Sequence, residues 1–220
     1  MVKKFLSECL GTAFLLSIVV GSGIMGSNLS QGNDAIALLA NSIATGAGLF
    51  VLIQNLGPVS GAHFNPIVSF VEWLWGRLDL KGLLLYCLAQ ILGGLLGVIV
   101  AHGMFNLEIF QVSTKLRVGS HLFISEVVAT FGLISTIFLA GRKNIPFAPL
   151  TIAAYITSAY WFTSSTSFAN PAVTIARIFT NTFCGISPQG VWAFLLAQLL
   201  GAGLAFLLTR RMDSFSNSAT

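Results

Sequence analysis

The sequence predicts an all-α membrane protein with six transmembrane helices and two re-entrant half-helices, arranged as two inverted repeats of three spans each. Charged residues make up only 8% of the 220 residues and hydrophobic residues 55%, whereas about a quarter of an ordinary soluble domain is charged. At about 20 apolar residues per span, this length holds roughly six to eight spans and no sizeable soluble domain. The function must therefore lie within the bilayer, which excludes most enzyme classes.

Six nearly uncharged runs, each close to spanning length, are predicted to be the membrane helices. They cover residues 5–25, 35–56, 82–105, 120–141, 145–162 and 188–209. The first run follows Lys3 and Lys4, exceeds the core of a signal peptide and lacks a clear cleavage site, so we expect a retained span. We interpret the chain as one transmembrane domain over 1–220, with repeats at approximately 1–110 and 118–220.

Two segments that open with Asn-Pro, residues 65–75 and 170–180, are too short to cross the membrane. Asn is a good N-cap and Pro is favoured at the first helical position, so each dipeptide predicts the start of a short helix that ends inside the membrane. The preceding stretches, 57–64 and 163–169, are rich in Gly, Ser and Thr. They are predicted to be extended backbone, which is tolerated at membrane depth only beside protein or a water-filled cavity.

The basic residues predict the orientation of the chain. If six spans alternate, three basic residues fall on one face, Lys115, Arg117 and Arg177, and eight fall on the other. Because cytoplasmic loops carry an excess of Lys and Arg, both termini are expected in the cytoplasm, with the protein in the cell (inner) membrane. The eight are Lys3, Lys4, Arg77, Lys81, Arg142, Lys143, Arg210 and Arg211. The net charge of +4 is too small and scattered to indicate a nucleic-acid partner.

An internal repeat is the most informative signal. Three motifs recur in the same order, at offsets of 118, 105 and 108 residues: Ser-Glu at Glu8 and Glu126, Asn-Pro at Asn65 and Asn170, and Ala-Gln at Gln90 and Gln198. Because each half holds three spans, an odd number, the halves must lie in the membrane with opposite orientation. Inverted repeats with a broken helix in each half place a site at the midplane, where the half-helix N-termini meet.

These residues resemble the aquaporin or major intrinsic protein family over nearly the whole chain, through residues 60–66, 170–172, both glutamates and the Ala-Gln repeats. The resemblance implies a channel domain with a passive pore in each subunit, usually a homotetramer in lipid, with no cofactor, no metal and no catalytic residue. The implied pore boxes are Asn65, Pro66, Ile67, Asn170, Pro171 and Ala172. Ile67 departs from the usual Ala.

The physical logic agrees with that implication. A half-helix N-terminus carries roughly half a positive charge, so two of them facing each other repel cations and protons and tolerate neutral polar solutes. We expect Asn65 and Asn170 each to offer an amide N–H to the solute, and the carbonyls of residues 60–64 and 165–169 to form a line of acceptors.

The resemblance also implies a selectivity filter, and the filter departs from the family. Its four positions fall on Thr45, Ser158, Ser167 and Val173, where most members have Arg at the last and water-selective members have Phe and His at the first two. The loss of bulk and charge predicts a wider constriction and solutes larger than water. The sequence resembles bacterial aquaglyceroporins of an arsenic-resistance-associated branch, so we expect arsenous acid and similar metalloid hydroxides, glycerol-like polyols and water.

Several alternatives remain open at this stage. Arg177 could approach the pore wall and restore part of the charge missing at Val173. We favour the alternative that it pairs with backbone or extends toward the membrane interface. Glu8 and Glu126 could relay protons, but we favour the interpretation that they brace the re-entrant loops. His63 could act as a pH-dependent gate, but we favour the interpretation that its imidazole braces the loop. The functional alternatives are a water-selective aquaporin and an ion-coupled secondary transporter, although neither half-helix offers a carboxylate at the midplane.

Overall fold

The computed structural model describes residues 1–142 and 147–217, and these fold into eight α-helices and one 3₁₀ turn. In chain order the elements are α1 (Val2–Leu29), α2 (Asp34–Ser60), α3 (Pro66–Leu74), α4 (Leu80–Met104), α5 (Ser120–Arg142), α6 (Ala148–Phe162), α7 (Pro171–Ala176), the 3₁₀ turn Arg177–Phe179, and α8 (Pro188–Asn217). The predicted start of the fifth span at residue 145, and Lys143 of the basic set, lie outside the described residues.

The predicted fold class is confirmed. In the described part of the chain, α1, α2, α4, α5 and α8 are long and apolar enough to cross a membrane. The fifth predicted span is α6, of which 15 residues are described. The predicted half-helices are α3 and α7, and both begin at the Pro of Asn-Pro.

Small residues set the packing of the long helices. A Cβ added at Gly93 or Gly97 of α4 would overlap with carbonyl oxygens of α1, and one added at Gly201 of α8 would overlap with the carbonyl oxygen of Val127 in α5. Such close approach needs glycine. Gly93 meets Cys9 and Gly97 meets residue 13, so the contact advances in the same direction along both helices and α1 and α4 run parallel.

This parallel packing defines the two ends of the molecule. The N-terminus and the 75–79 turn lie at one end, which we call the turn side. The segments 105–119 and 180–187 lie together at the other end, the loop side, where the backbone N–H of Ser187 donates to the carbonyl of Lys115 over 2.8 Å.

The extended segment before α3 is shorter than predicted. The expectation of extended backbone over 57–64 is wrong for 57–60, because α2 continues through Pro58 to Ser60. Proline removes one helical hydrogen bond, but the helix does not end at Pro58. It ends at Gly61, which adopts the left-handed region at φ 90° and donates its backbone N–H to the carbonyl of Gly57 over 2.9 Å. In the second repeat, residues 163–169 are non-helical as predicted.

Candidate functional site

The two Asn boxes meet at the centre of the molecule. The side-chain Nδ2 of Asn65 donates to the carbonyl of Ala169 over 2.8 Å, and Nδ2 of Asn170 donates to the carbonyl of Phe64 over the same distance. Each Asn oxygen caps its own half-helix, by accepting from the backbone N–H of Ile67 or of residue 172, at 2.9 Å in both repeats. One amide hydrogen of each Asn therefore remains for a solute at the point where two helix N-termini face each other.

Glu8 holds the first re-entrant segment from behind. Its carboxylate accepts from the backbone N–H groups of His63 (3.0 Å) and Phe64 (2.7 Å), from the hydroxyl of Ser60 (2.6 Å) and from Nε2 of Gln90 (2.7 Å). The side chain is fully buried. Four donors satisfy this buried charge, and in turn they fix the backbone that leads into Asn65.

Glu126 does the same in the second repeat. Its oxygens accept from the backbone N–H groups of Phe168 and Ala169, both at 2.9 Å, and from Nε2 of Gln198 at 2.7 Å. Neither glutamate lines the cavity described below. This geometry matches the bracing interpretation of both carboxylates.

The braced segments carry strained backbone. Ala62 and Phe64 have φ of 51° and 48°, and their counterparts Ser167 and Ala169 have φ of 50° and 45°. Non-glycine residues in the left-handed region are costly and persist only where the surroundings impose them. The buried carboxylates supply that constraint, so the two repeats store the same strain at the same place.

The predicted line of carbonyl acceptors is interrupted. Four of its carbonyl oxygens already accept from protein donors, which leaves fewer for a passing solute. They are Ser60 from the hydroxyl of Tyr86, Phe64 from Asn170, Ser165 from Arg117, and Ala169 from Asn65.

A cavity of about 270 Å³ lies along both half-helices. It includes Asn65 and Asn170 at its centre, Glu72 of α3 towards the turn side and Arg177 towards the loop side. The opposite wall is apolar and comes from α1, α2, α5 and α6; it includes Leu15, Val19, Leu49, Ile53, Leu133, Ile137, Ile152 and Ile156. The cavity is thus amphipathic, with most hydrogen-bonding groups along the half-helices and the hydroxyls of Thr45 and Tyr160 on the opposite wall.

The other box residues stand behind the cavity wall. Ile67 and Ala172 are 2% and 0% exposed, and neither lines the cavity, nor do Pro66 and Pro171. Ile67 packs in an apolar cluster with Ile134. A bulkier residue than Ala therefore alters packing under Asn65 without narrowing the passage directly.

Three of the four predicted filter residues, Thr45, Ser167 and Val173, line the cavity. The fourth does not, and the assignment of Ser158 is wrong. Ser158 is exposed on the outer face of α6, and its hydroxyl donates to the carbonyl of Tyr155 over 2.7 Å.

Tyr160 occupies the filter instead of Ser158. Residues of α6 that line the cavity are spaced four apart, at Ile152, Ile156 and Tyr160, as one face of a helix requires. A residue two positions away, such as Ser158, points to the opposite face. The Tyr160 hydroxyl lies 3.3 Å from Oγ1 of Thr45, so an aromatic ring is present where the sequence predicted a small side chain.

Ser167 contributes a hydroxyl that has no hydrogen-bond partner among the residues the structure describes. Its Oγ is buried and has no hydrogen-bond partner, while the residue lines the cavity. Buried polar groups are normally paired. This hydroxyl is therefore available to a solute.

Arg177 both pairs with backbone and reaches the cavity wall, the two alternatives that the sequence left open. Its Nε donates to the carbonyl of Cys184, and its guanidinium carbon lies 3.5 Å from the centroid of the Phe168 ring. The residue is 2% exposed and also lines the cavity. A positive charge is thus present on the wall, one helical turn beyond the uncharged Val173.

The loop side around Arg177 is strongly positive. Lys115 donates to the carbonyl of Phe183 over 2.8 Å and Arg117 to that of Gly185 over 2.9 Å, so three cations share three consecutive carbonyls. In the part of the chain that the structure describes, none of them forms an ion pair. Burial, with the like charge of Arg177, lowers the pKa of Arg117 to about 10, and the side chain stays protonated at neutral pH.

His63 lines the cavity beside Asn65. Its Nδ1 lies 3.0 Å from the Ser69 hydroxyl, and its ring packs edge-on against Tyr86 at 5.0 Å between centroids. Both contacts hold the imidazole against its own repeat, which is the geometry of a bracing residue.

Comparisons with known proteins agree with this architecture. The model of the family described as "Major intrinsic protein" matches residues 1–208. The chain is 50% identical over 210 residues to Aquaglyceroporin AqpS of Rhizobium meliloti (strain 1021), covering 96% of this chain and 90% of that protein. It is 31% identical to a probable aquaporin, TIP-type alpha, of Phaseolus vulgaris, covering 94% and 83%. The solved structure of the aquaglyceroporin from Plasmodium falciparum matches with a TM-score of 0.73 over 94% of both chains, at 20% identity.

Proposed function

Because the chain belongs to the major intrinsic protein family, we propose that it is a passive membrane channel for small neutral solutes: arsenous acid and similar metalloid hydroxides, glycerol-like polyols, and water. The observation that carries the choice of solutes is Val173 on the cavity wall. In most family members this position is Arg, whose bulk and fixed charge narrow the passage.

The cavity suits a neutral solute with hydroxyl groups on one side. The amide hydrogens of Asn65 and Asn170 and the unpartnered hydroxyl of Ser167 lie on the polar side and replace hydrogen bonds that the solute loses with water. The apolar wall contacts the carbon skeleton or the metalloid atom. Such a solute needs neither a coupling ion nor a reacting group, so flux follows its concentration gradient.

Tyr160 limits how wide the filter is. Since its ring lines the cavity where a Ser was predicted, the filter lacks a bulky side chain only on the side of Val173. The proposed preference is therefore for compact polyols and trihydroxides. Thr45, at 3.3 Å from the phenol oxygen, adds a polar edge opposite Val173.

Stopped-flow measurements on proteoliposomes test this function. The purified chain is expected to pass water, glycerol and arsenite, with initial rates proportional to the gradient. Val173→Arg is expected to lower glycerol and arsenite permeability much more than water permeability, and Val173→Leu, which adds bulk without charge, separates the two effects.

Two outcomes would contradict the proposal, and each supports one alternative. A pore that passes water but excludes glycerol and arsenite indicates a water-selective aquaporin. Flux that saturates at low substrate, or collapses with the proton gradient, indicates an ion-coupled secondary transporter.

The chain is a membrane protein, and we propose that it is a homotetramer with both termini in the cytoplasm. Large apolar side chains such as Phe14 (54% exposed) and Trp192 (74% exposed) face outwards, where lipid or a second subunit can cover them. Basic residues at the turn side support the cytoplasmic orientation of the termini; they include Lys3, Lys4, Arg77 and Lys81. Native mass spectrometry checks the oligomeric state. Labelling of a single cysteine placed at either terminus, in intact cells, checks the orientation.

A further inference from the structure

Glu72 and Arg177 hold equivalent positions in the two repeats and carry opposite charges. Each lies seven residues beyond the Asn of its box, so they are separated by the same offset of 105 residues as Asn65 and Asn170. Both side chains line the cavity. Since a helix rises 1.5 Å per residue, each charge stands roughly 10 Å from the centre, one towards each mouth.

The two charges interact with opposite sign with the dipoles of their half-helices. Arg177 is the C-cap of α7, where the negative end of the helix dipole favours a cation. Glu72 is in the last turn of α3, where the same dipole disfavours a carboxylate. A residue that conflicts with its local setting is a candidate for function.

The rest of the cavity attracts anions. Two half-helix N-termini face its centre and Arg177 stands at its loop side, so all of these fixed charges repel cations. Glu8 and Glu126 are fully buried, with oxygens that accept from the loop N–H groups. Among the described residues that line the cavity, Glu72 is the only one with a carboxylate.

Arg77 positions Glu72 at the mouth. Its Nη1 lies 3.3 Å from Oε1 of Glu72, with the Arg77 side chain 52% exposed and the Glu72 side chain 15% exposed. The guanidinium also lies over the Trp75 ring, at 4.8 Å from its centroid. Because an exposed partner is screened by water, the pair attracts only weakly, and Glu72 keeps a negative potential towards the cavity.

We propose that Glu72 excludes anions at the turn-side mouth, so that ion exclusion in this pore is divided between a carboxylate at one end and the cationic groups at the centre and loop side. The inference rests on the proposed function as a neutral-solute channel. It identifies Glu72 as a specificity-determining residue that the family motifs do not include.

Ion leakage through proteoliposomes tests this role. Vesicles are loaded with potassium chloride, and chloride and potassium release are followed with ion-selective dyes, with water permeability measured on the same vesicles. Glu72→Gln is expected to raise chloride release about tenfold, equivalent to about 1.4 kcal/mol of lost repulsion, without raising potassium release. Glu72→Lys is expected to raise it further, and Glu72→Asp to keep it low.

Matched controls isolate the charge from the packing. Lys81→Gln removes a charge at an exposed residue of the same end that does not line the cavity, so chloride release is expected to stay at the wild-type level. Arg177→Gln is expected to raise potassium release only modestly, because the half-helix N-termini still repel cations.

The outcomes separate this inference from the proposed function. Unchanged chloride release in Glu72→Gln or Glu72→Lys vesicles that still conduct water overturns the role of Glu72. Equal gains of chloride and potassium release also overturn it, since they indicate a widened pore. A wild-type chain that passes no water, glycerol or arsenite contradicts the proposed function itself.

Discussion

The side chain of Asn65 donates to the carbonyl of Ala169 over 2.8 Å, which joins the first box to the residue that precedes the second. The equivalent hydrogen bond runs in the other direction: the side chain of Asn170 donates to the carbonyl of Phe64, which precedes the first box. The two repeats are thus fastened by hydrogen bonds at the midpoint of the cavity. The position of each half-helix, and of Val173 beyond it, therefore depends on both repeats.

Tyr160 and Ser158 provide a direct test of which face of α6 lines the pore. Tyr160→Ser removes a ring from the cavity wall, so we expect glycerol permeability to rise severalfold relative to water. Ser158→Ala changes an exposed side chain whose hydroxyl contacts only its own helix and should leave both permeabilities unchanged. Stopped-flow light scattering measures both. A larger effect from Ser158→Ala than from Tyr160→Ser would restore Ser158 as the filter residue that the family resemblance implied.

Much of the site could be predicted from the sequence because its signals are local. Asn-Pro sets the start of a helix through the side chain and ring of two adjacent residues, and both half-helices begin there. The recurrence of Ser-Glu and Ala-Gln marked Glu8, Gln90, Glu126 and Gln198 as equivalent residues of two repeats, but it did not predict that each Glu bonds to the Gln of its own repeat, as the structure shows at 2.7 Å.

The filter residue on α6 could not be predicted in the same way. The count from the box to Ser158 crosses a non-helical segment and then a helix, and each residue of error turns the position by about 100°. The end of α2 was missed for a different reason. The composition of residues 57–64 predicted extended backbone, whereas α2 continues to Ser60, whose hydroxyl donates to Glu8.

Glu126→Gln is expected to destabilise the second re-entrant segment. The carboxamide has one acceptor oxygen, so its NH₂ group must face a donor now bonded to Glu126, either a backbone N–H of Phe168 or Ala169 or Nε2 of Gln198. An unsatisfied buried donor costs about 1–3 kcal/mol. We expect a lower unfolding temperature in detergent, measured by intrinsic fluorescence, and reduced solute flux. Glu108→Gln, at an exposed site, is the control and should have no effect.

Gly93→Ala is expected to separate α1 from α4. The added methyl group would overlap with the carbonyl oxygen of Cys9, and backbone cannot move aside as a side chain can, so a cost of about 1–3 kcal/mol is expected. Gly103→Ala, near the end of the same helix, meets nothing within 4 Å and should be neutral or slightly stabilising. If thermal unfolding shows equal stability for both variants, the close packing of α1 on α4 is not a source of stability.

Ser167→Ala tests whether the unpartnered filter hydroxyl serves the solute. Because none of the described residues bonds to its Oγ, removing it should change stability by no more than about 0.5 kcal/mol. Glycerol and arsenite permeability should nevertheless fall severalfold, since the solute loses a hydrogen bond at the constriction. Ser187→Ala is the matched control: its hydroxyl is also buried without a partner, but it does not line the cavity, so permeability should stay unchanged. Equal permeability in both variants would mean that the solute passes Ser167 without bonding to it.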